Sequence, residues 1–274
     1  MIREALRASA EAMQAAGIED PRLDAELLLA EATGWERARL VADSEAEIPP
    51  AATRRFAEMV RRRLRREPVA YILGRRGFRH LELAVDPRVL IPRPETELLV
   101  ELALELRPRS VLDVGTGSGA LALAIAAELP DAEVTATDTS AGALAVAVAN
   151  AERLGLAARI QFFEGTLPPG DGRFDLVVAN LPYVSEREWG RLQREVTEWE
   201  PREALLAGAD GLDAFRSAVP VLAAITDIIG LEVGQGQAAA VGDLLRAAGF
   251  AAIESRADLA GIERLVIGRR EHAG

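Results

Sequence analysis

VLDVGTGSG, residues Val111–Gly119, joins a short apolar run to a glycine-rich turn. The run has the composition of a strand buried in a parallel sheet. The glycines let the backbone approach a ligand closely and reach φ values that are closed to other residues. A helical pattern follows, and its first turn would leave backbone N–H groups free. The segment therefore predicts a strand, a nucleotide-binding turn and a helix in succession.

Around this segment, strands and helices alternate from Ser110 onward, which predicts a mostly parallel sheet with helices on both faces. Before it, apolar spacing near 3.6 predicts a helical domain over residues 1–68. Residues 69–92 contain Gly74, Gly77 and alternating apolar residues, which predict a linking β-hairpin, and residues 93–274 form the α/β domain. The predicted strands are Ser110–Val114, Glu133–Thr137, Ile160–Phe163, Phe174–Ala179, Ile228–Val233, Ala252–Ser255 and Arg264–Ile267. The predicted helices of this domain are Ala120–Leu129, Ala141–Leu154, Gly211–Ala224 and Gln237–Ala248.

Composition excludes several kinds of protein. The chain has no Cys and only two His, His80 and His272, so thiolate and His-rich metal sites are excluded and we expect no metal. No apolar stretch approaches the ~18–20 residues of a membrane span, and the first residues lack a signal peptide. We therefore expect a cytoplasmic protein. The net charge of −11 argues against sequence-independent nucleic-acid binding, although the stretch Arg54–Glu67 predicts one basic helix.

A second motif, Asn180-Leu181-Pro182-Tyr183, follows the apolar strand FDLVVA and should lie at its carboxyl end. An amide or exocyclic amine nitrogen is a poor nucleophile, and its two N–H groups need acceptors. The side-chain carbonyl of Asn180 and the backbone carbonyl of Leu181 supply two. Pro182 holds the loop shape, and Tyr183 offers a flat face to a planar group. Together with the glycine turn, this loop predicts methyl transfer to a planar nitrogen.

The glycine turn by itself also fits the relaxed dinucleotide pattern G-x-G-x-x-G/A. Asp113, two residues before the first glycine, favours S-adenosylmethionine, since an anion beside a pyrophosphate has no use in a dinucleotide enzyme. Asp138 ends the next predicted strand, where an acidic side chain can accept both ribose hydroxyls of a nucleoside.

Several segments together resemble the release factor glutamine methyltransferases, the HemK/PrmC family. They cover nearly the whole chain and are REPVAYILGRRGFRHLELAV, LIPRPETELLV, LDVGTGSGALALA, ATDTS, NLPYV, EPREALLAGADGLD and LEVGQGQ. The resemblance implies a seven-stranded Rossmann-like methyltransferase sheet and S-adenosylmethionine as methyl donor, with S-adenosylhomocysteine as product. It implies as acceptor the side-chain amide N5 of the glutamine in the Gly-Gly-Gln motif of peptide-chain release factors, recognised with help from the helical domain.

The resemblance also implies roles for individual residues. Leu181 stands where relatives commonly have Pro, and Leu167 stands where an apolar or aromatic residue can pack on the adenine ring. The cofactor residues would be Asp113, Gly115, Thr116, Gly117, Ser118, Gly119, Asp138, Leu167 and Asn180. The glutamine would be held by Asn180, Leu181, Pro182 and Tyr183, with Arg93 and Glu97 lining the substrate pocket.

Three alternatives remain open from the sequence. The acceptor could be a glutamine of a ribosomal protein, because the same loop would serve. A nucleic-acid adenine or cytosine methyltransferase would need to extrude a base, and the acidic balance and missing recognition domain argue against it. The chain could also be a non-catalytic binding module with a methyltransferase fold.

Overall fold

The computed structural model describes residues 1–271, so His272 lies outside the described residues. The helices are α1 Ile2–Ala15, α2 Pro21–Thr33, α3 Arg37–Ala42, α4 Pro50–Leu64, α5 Val69–Leu73, α6 Glu97–Leu106, α7 Ala120–Glu128, α8 Ala141–Arg153, α9 Glu186–Trp189, α10 Arg194–Trp199, α11 Asp213–Leu222 and α12 Ala238–Ala247. The strands are β1 Arg75–Phe78, β2 Leu81–Ala84, β3 Ser110–Val114, β4 Glu133–Asp138, β5 Ile160–Glu164, β6 Leu176–Ala179, β7 Ile228–Glu232, β8 Ala252–Ala257 and β9 Glu263–Arg269. Short 3₁₀ turns occur at Pro94–Thr96, Ala157–Arg159 and Arg202–Ala204.

The described residues separate into two compact units. The first contains Met1–Arg75 together with Gln193–Trp199, and the second contains Arg76–Leu192 and the chain from Glu200 onward. The helix α10 thus groups with the first unit, although it falls within the predicted 93–274 domain. The division into 1–68, 69–92 and 93–274 stays a prediction.

The first unit is helical, as the apolar spacing predicted. Pro21 occupies the first turn of α2, where its missing N–H costs no hydrogen bond, and Gly34 ends that helix in the left-handed conformation at φ 69°. Large apolar side chains meet in one core, which includes Met13, Leu28 and Phe56. The sequence did not predict the short helices α3 and α5.

The second unit carries a mixed sheet, and within residues 1–271 this sheet has seven strands in the order β5-β4-β3-β6-β7-β9-β8. The first five are parallel to one another, whereas β9 is antiparallel to both of its neighbours, β7 and β8. The predicted mostly parallel, seven-stranded sheet is confirmed. The strand order reverses at β3, from which the chain proceeds outward to β4 and β5 and later returns to β6. The predicted hairpin is confirmed as the β1–β2 pair.

Both faces of the sheet are covered, which explains why its central strands are apolar without alternation. In β6, Leu176 and Val178 enter the core that α6 and α7 cover, whereas Val177 and Ala179 enter the core that α11 and α12 cover. All four side chains are fully buried.

Across residues 1–271, every helix is too short or too polar to pass through a bilayer.

Candidate active site

A cavity of about 370 Å³ opens at the carboxyl ends of β3, β4, β5 and β6. Its volume is in the range of small-molecule sites. It includes the point where the strand order reverses, the usual place for a ligand in an open α/β sheet. The predicted site residues that line it are Gly115, Gly117, Asp138, Asn180, Leu181 and Pro182. Further lining residues are Arg88, Val89, Leu90, Val114, Thr139, Ser140, Ala143, Gly165, Thr166, Pro201, Glu203, Ala204, Ala214, Ser217, Ala218 and Val221.

The glycine turn after β3 faces the loop after β6. Gly115 has a φ of 75°, and its N–H donates to the carbonyl oxygen of Thr137 over 2.8 Å. A Cβ added to Gly115 would lie 3.8 Å from both the carbonyl oxygen of Asn180 and a methyl of Leu181. A side chain here would therefore reduce the space that the two loops share.

Asp138 presents a carboxylate to the cavity from the end of β4. Its Oδ2 accepts the Gly117 N–H over 2.9 Å, and its Oδ1 accepts the Ser140 N–H over 2.9 Å. Each carboxylate oxygen can accept further hydrogen bonds, so the pair can bind two hydroxyls at once. A cavity with a bare glycine backbone and a carboxylate acceptor fits the ribose and methionine parts of S-adenosylmethionine.

Asp113 lies beneath the turn rather than in the cavity. It is fully buried, and its Oδ2 accepts the Thr116 hydroxyl over 2.6 Å and the Ala122 N–H over 3.2 Å. Burial raises the pKa of Asp113 to about 7. No hydrogen-bond donor within residues 1–271 reaches its Oδ1. Asp113 thus connects the turn to the first residues of α7.

Ser118 and Gly119 also support the turn from behind. The Ser118 carbonyl accepts the side-chain amide of Asn150 over 2.9 Å. Gly119 has a φ of 85°, and a Cβ there would lie 2.9 Å from Leu123 and 3.3 Å from Ala147. Gly119 is thus required for close packing at the start of α7.

Asn180 belongs to a chain of hydrogen bonds. Its Nδ2 donates to the Thr96 hydroxyl oxygen over 3.0 Å, and Thr96 donates to Glu232 Oε2 over 2.5 Å. The Tyr183 hydroxyl donates to Glu232 Oε1 over 3.3 Å. Within residues 1–271 the structure records no hydrogen bond to Asn180 Oδ1 or to the Leu181 carbonyl oxygen. Two acceptors thus remain available in a loop that lines the cavity.

Glu232 is almost fully buried at the end of β7. Burial raises the pKa of Glu232 to about 7, against the opposing hydrogen bonds from Thr96 and Tyr183. Burial also raises the pKa of Tyr183, and the charge of Glu232 adds to that effect. The phenol therefore stays protonated and can donate to the carboxylate.

Gln237 holds the shape of the Asn180–Tyr183 loop. Its Nε2 donates to the Tyr183 carbonyl over 2.9 Å and to the Gly211 carbonyl over 3.3 Å, and its Oε1 accepts the Gly234 N–H over 2.9 Å. A Cβ on Gly211 would lie only 2.3 Å from the Tyr183 carbonyl oxygen. Gln237, the last residue of LEVGQGQ, therefore stabilises the Asn180–Tyr183 loop.

Besides Asp113, Thr116, Ser118, Gly119 and Tyr183, three more predicted site residues lie outside the cavity lining. Arg93 forms an ion pair with Glu200, which is buried. Glu97 accepts the Arg79 backbone N–H over 3.1 Å. Leu167 packs against the core on the α11 side of the sheet, and its neighbour Thr166 lines the cavity instead. The binding roles of these three residues stay predictions.

Thr96 lies between Arg93 and Glu97 and is the hydrogen-bond partner of Asn180, a role that was not predicted from the sequence. Its position inside IPRPETE was the available signal, but the pattern does not tell which side chain turns toward the β6 loop. No cluster of three or more acidic or His side chains that could hold a metal occurs in the part of the chain that the structure describes.

Comparisons with known proteins extend these observations. Residues 4–74 match the model of the PrmC N-terminal domain, and residues 111–199 match that of a methyltransferase domain. The release factor glutamine methyltransferase of Geobacter sulfurreducens is 42% identical over 260 residues, which cover 92% of this chain and 91% of that protein. That of Burkholderia pseudomallei is 45% identical over 262 residues, with 90% and 91% covered. The chain belongs to the release factor glutamine methyltransferase family.

Membership in this family confirms the resemblance drawn from the motifs and makes the chain a methyltransferase, a class that generally uses S-adenosylmethionine. Solved structures agree on the fold alone. The catalytic domain of hMettl16, solved in complex with MAT2A 3'UTR hairpin 6, aligns with a TM-score of 0.57 at 16% identity, covering 70% of this chain and 76% of that chain. A methyltransferase from Pyrococcus furiosus aligns with a TM-score of 0.51 at 15% identity, covering 69% and 89%.

Proposed function

We propose that this chain transfers a methyl group from S-adenosylmethionine to the side-chain amide N5 of the glutamine in the Gly-Gly-Gln motif of peptide-chain release factors. The observation that carries the proposal is the state of Asn180. Its amide nitrogen is engaged by Thr96, its Oδ1 is available, and its loop lines the same cavity as Gly115 and Gly117. The relatives from Geobacter sulfurreducens and Burkholderia pseudomallei are release factor glutamine methyltransferases by name, which supports a release-factor glutamine as the acceptor.

Asn180 and Leu181 would hold the reacting nitrogen. The lone pair of an amide nitrogen is delocalised, so the nitrogen attacks only when it is well oriented. Asn180 Oδ1 and the Leu181 carbonyl can each accept one of its two N–H groups. Both bonds lie in the amide plane and leave the lone pair pointing out of it. Such positioning can contribute several kcal/mol, because it converts a collision into a reaction within a complex.

Other residues of the two loops would restrict the acceptor further. Pro182 limits the conformation of the loop. The Tyr183 hydroxyl donates to Glu232, and its backbone carbonyl accepts the Gln237 amide, so both ends of this residue are held. We assign cofactor binding to the glycine turn, where Gly115 and Gly117 line the cavity, and to Asp138 and Thr166, which line it as well. When bound, S-adenosylmethionine supplies a methyl group on a positively charged sulfur.

The helical unit would recognise the release factor. Arg54 on α4 and Arg65 just after it are exposed, and neither side chain forms an ion pair within residues 1–271. They offer positive charge to a carboxylate-bearing partner. Translation takes place in the cytoplasm, so we place the reaction in that compartment.

The test is incubation of the purified chain with methyl-labelled S-adenosylmethionine and a release factor. We expect one label per release factor, located on the Gly-Gly-Gln glutamine by mass spectrometry of peptides. A release factor with that glutamine replaced by alanine is the control and should take up no label. Persistent labelling of this control would contradict the proposed acceptor.

The same assay separates the alternatives. Labelling of purified ribosomal proteins but not of the release factor would favour a ribosomal acceptor. Labelling of an RNA or DNA oligonucleotide would favour a nucleic-acid enzyme. Absence of heat in calorimetry with millimolar S-adenosylmethionine would indicate a binding module that does not use the cofactor.

A further inference from the structure

We propose that Glu232 is a positioning residue for methyl transfer, because it determines through Thr96 which end of the Asn180 side-chain amide faces the cavity. This inference rests on the function proposed above and adds a residue that does not touch the acceptor.

The hydroxyl of Thr96 has a single proton. An ionised carboxylate can only accept hydrogen bonds, so the 2.5 Å contact with Glu232 Oε2 takes that proton. Toward Asn180, the Thr96 oxygen can then act only as an acceptor. Asn180 must therefore present its NH₂ group to Thr96, as the 3.0 Å contact shows.

The orientation of Asn180 has a direct chemical consequence. An amide that turns its nitrogen toward Thr96 turns its oxygen the other way, where an acceptor is needed for the glutamine N–H. An amide rotated by 180° would instead present two N–H donors to the N–H groups of the substrate. The carboxylate of Glu232 excludes the rotated state, because Thr96 has no second proton to give.

Tyr183 fixes the carboxylate itself. Its hydroxyl donates to Glu232 Oε1, so Glu232 accepts one hydrogen bond on each oxygen. The charged groups that act on Glu232 are Glu95, which opposes its ionisation, and Arg264, which favours it. The buried carboxylate therefore links the substrate loop at Tyr183, the Asn180 side chain and the segment before α6.

Protonation of Glu232 would release this constraint. A neutral carboxyl can donate to Thr96, and the Thr96 proton can then point to Asn180, which permits the rotated amide. Because burial raises the pKa of Glu232 to about 7, the release falls within an accessible pH range. The reaction needs the ionised form, so kcat should rise with pH and level off above about 7.

The experiment compares variants in the release-factor assay, with kcat measured from pH 5.5 to 9. Glu232→Met keeps a similar length but removes both acceptors and should lower kcat about 10²-fold, the typical cost of a misplaced reacting group. Glu232→Gln keeps one acceptor oxygen and cannot ionise. Its NH₂ group can donate to Thr96 as a neutral carboxyl does, so at every pH this variant should show the low kcat of the acid range, without the rise toward pH 7. The pKa of Asp113 is also raised to about 7. Loss of the pH dependence of kcat in Glu232→Gln assigns that dependence to Glu232 and not to Asp113.

A second pair of variants tests the hydrogen-bond chain that runs from Glu232 through Thr96 to Asn180. Thr96→Val has the same shape without the hydroxyl and should lower kcat about 10²-fold, whereas Thr96→Ser should restore it. Glu133→Gln is the matched control, since this exposed glutamate lies at the opposite, amino end of β4. All variants should bind S-adenosylhomocysteine in calorimetry as the unmodified chain does.

A readout without turnover separates this inference from the proposed function. The side-chain NH₂ protons of Asn180 should exchange slowly with water in nuclear magnetic resonance spectra and exchange faster in Thr96→Val. A wild-type kcat for Glu232→Met, or a rise of kcat toward pH 7 that survives in Glu232→Gln, would overturn the positioning role. An unmodified chain that methylates no release factor would overturn the proposed function. Unchanged exchange of the Asn180 NH₂ protons in Thr96→Val would overturn the control of Asn180 through Thr96.

Discussion

Asn180 and Asp138 differ in what surrounds them, although both lie at strand ends in one cavity. The Asn180 amide has one end committed to Thr96 and the other available, which suits a residue that contacts a reacting group. The Asp138 carboxylate accepts two backbone N–H groups of the turns beside it, which suits a residue that binds a ligand and shapes its site.

Replacement of Asn180 by alanine should abolish most turnover and spare cofactor binding. We expect kcat to fall about 10²–10³-fold, the typical cost of removing one preorganised group from a transition state. Calorimetry with S-adenosylhomocysteine should give an affinity close to that of the unmodified chain. Full turnover in Asn180→Ala would exclude the role that we assign to it.

Replacement of Asp138 by alanine should weaken cofactor binding and spare turnover. Hydrogen bonds to charged groups contribute about 1.5–3 kcal/mol, so the dissociation constant of S-adenosylhomocysteine should rise about 10–100-fold. Asp138→Asn keeps one carbonyl acceptor. Its dissociation constant should lie between those of the unmodified chain and of Asp138→Ala. An unchanged affinity in calorimetry would remove Asp138 from the cofactor site.

The helix α10 shows how an element can belong to a unit far from it in sequence. Its Glu195 is buried and pairs with Arg63 over 2.7 Å and with Arg66 over 2.6 Å. Arg63 also pairs with Asp24 over 2.7 Å, so three helices of the first unit share one buried ionic cluster. Cluster members this far apart in sequence are invisible to periodicity, which explains why α10 was assigned to the other domain.

Glu195→Gln should destabilise the helical unit by about 3 kcal/mol, because it leaves buried arginines without their full charge partner. The matched control is Glu198→Gln on the same helix. Glu198 forms an exposed pair with Arg194, and such pairs contribute at most about 1 kcal/mol. Urea unfolding of both variants measures the difference. Equal stability would mean that the cluster contributes nothing to holding α10.

The pH dependence of this effect follows from the charge of Glu195. Burial tends to raise the pKa of Glu195, but its hydrogen bonds, including those from Arg63 and Arg66, lower it below the usual value. A lowered folded-state pKa stabilises the protein above the unfolded pKa, and this contribution disappears as pH falls through the folded-state pKa. The difference in the free energy of unfolding between Glu195→Gln and the unmodified chain should therefore become smaller below about pH 4.

The molecule as a whole combines a helical unit and an α/β unit within a chain of net charge −11. All its basic residues are Arg, since the sequence contains no Lys. Most arginines of α4 are neutralised locally, such as Arg55 by Glu31 and Arg62 by Glu67. Exposed arginines without a partner are therefore the more informative candidates for recognition.

The double variant Arg54→Gln, Arg65→Gln should raise the KM for the release factor several-fold and leave kcat unchanged, because it alters only the association of the two proteins. Arg109→Gln is the control, as this exposed arginine precedes β3 at the amino end of the sheet. Steady-state methylation at varied release-factor concentration measures both constants. An unchanged KM would remove the basic helix from recognition.

Much of the fold was predictable because its causes are local. The apolar runs of β3 and β6, the glycine turn at Gly115–Gly119 and the position of Asn180 after a strand depend on neighbours in the chain. The predicted strands therefore agree with the structure to within about two residues at their ends, as expected for element boundaries. The cavity at the carboxyl ends followed from parallel topology.

What the chain alone determined is thus the alternation of elements, the glycine turn and the chemistry that Asn180 offers, since backbone conformation and hydrophobic period act over a few residues. Only the tertiary structure decided that Thr96 reaches Asn180, that Glu232 closes the hydrogen-bond chain with Tyr183, and that Glu195 joins Arg63. Those contacts depend on the directions of side chains from elements up to more than a hundred residues apart. Such directions are set by packing, which no local pattern encodes.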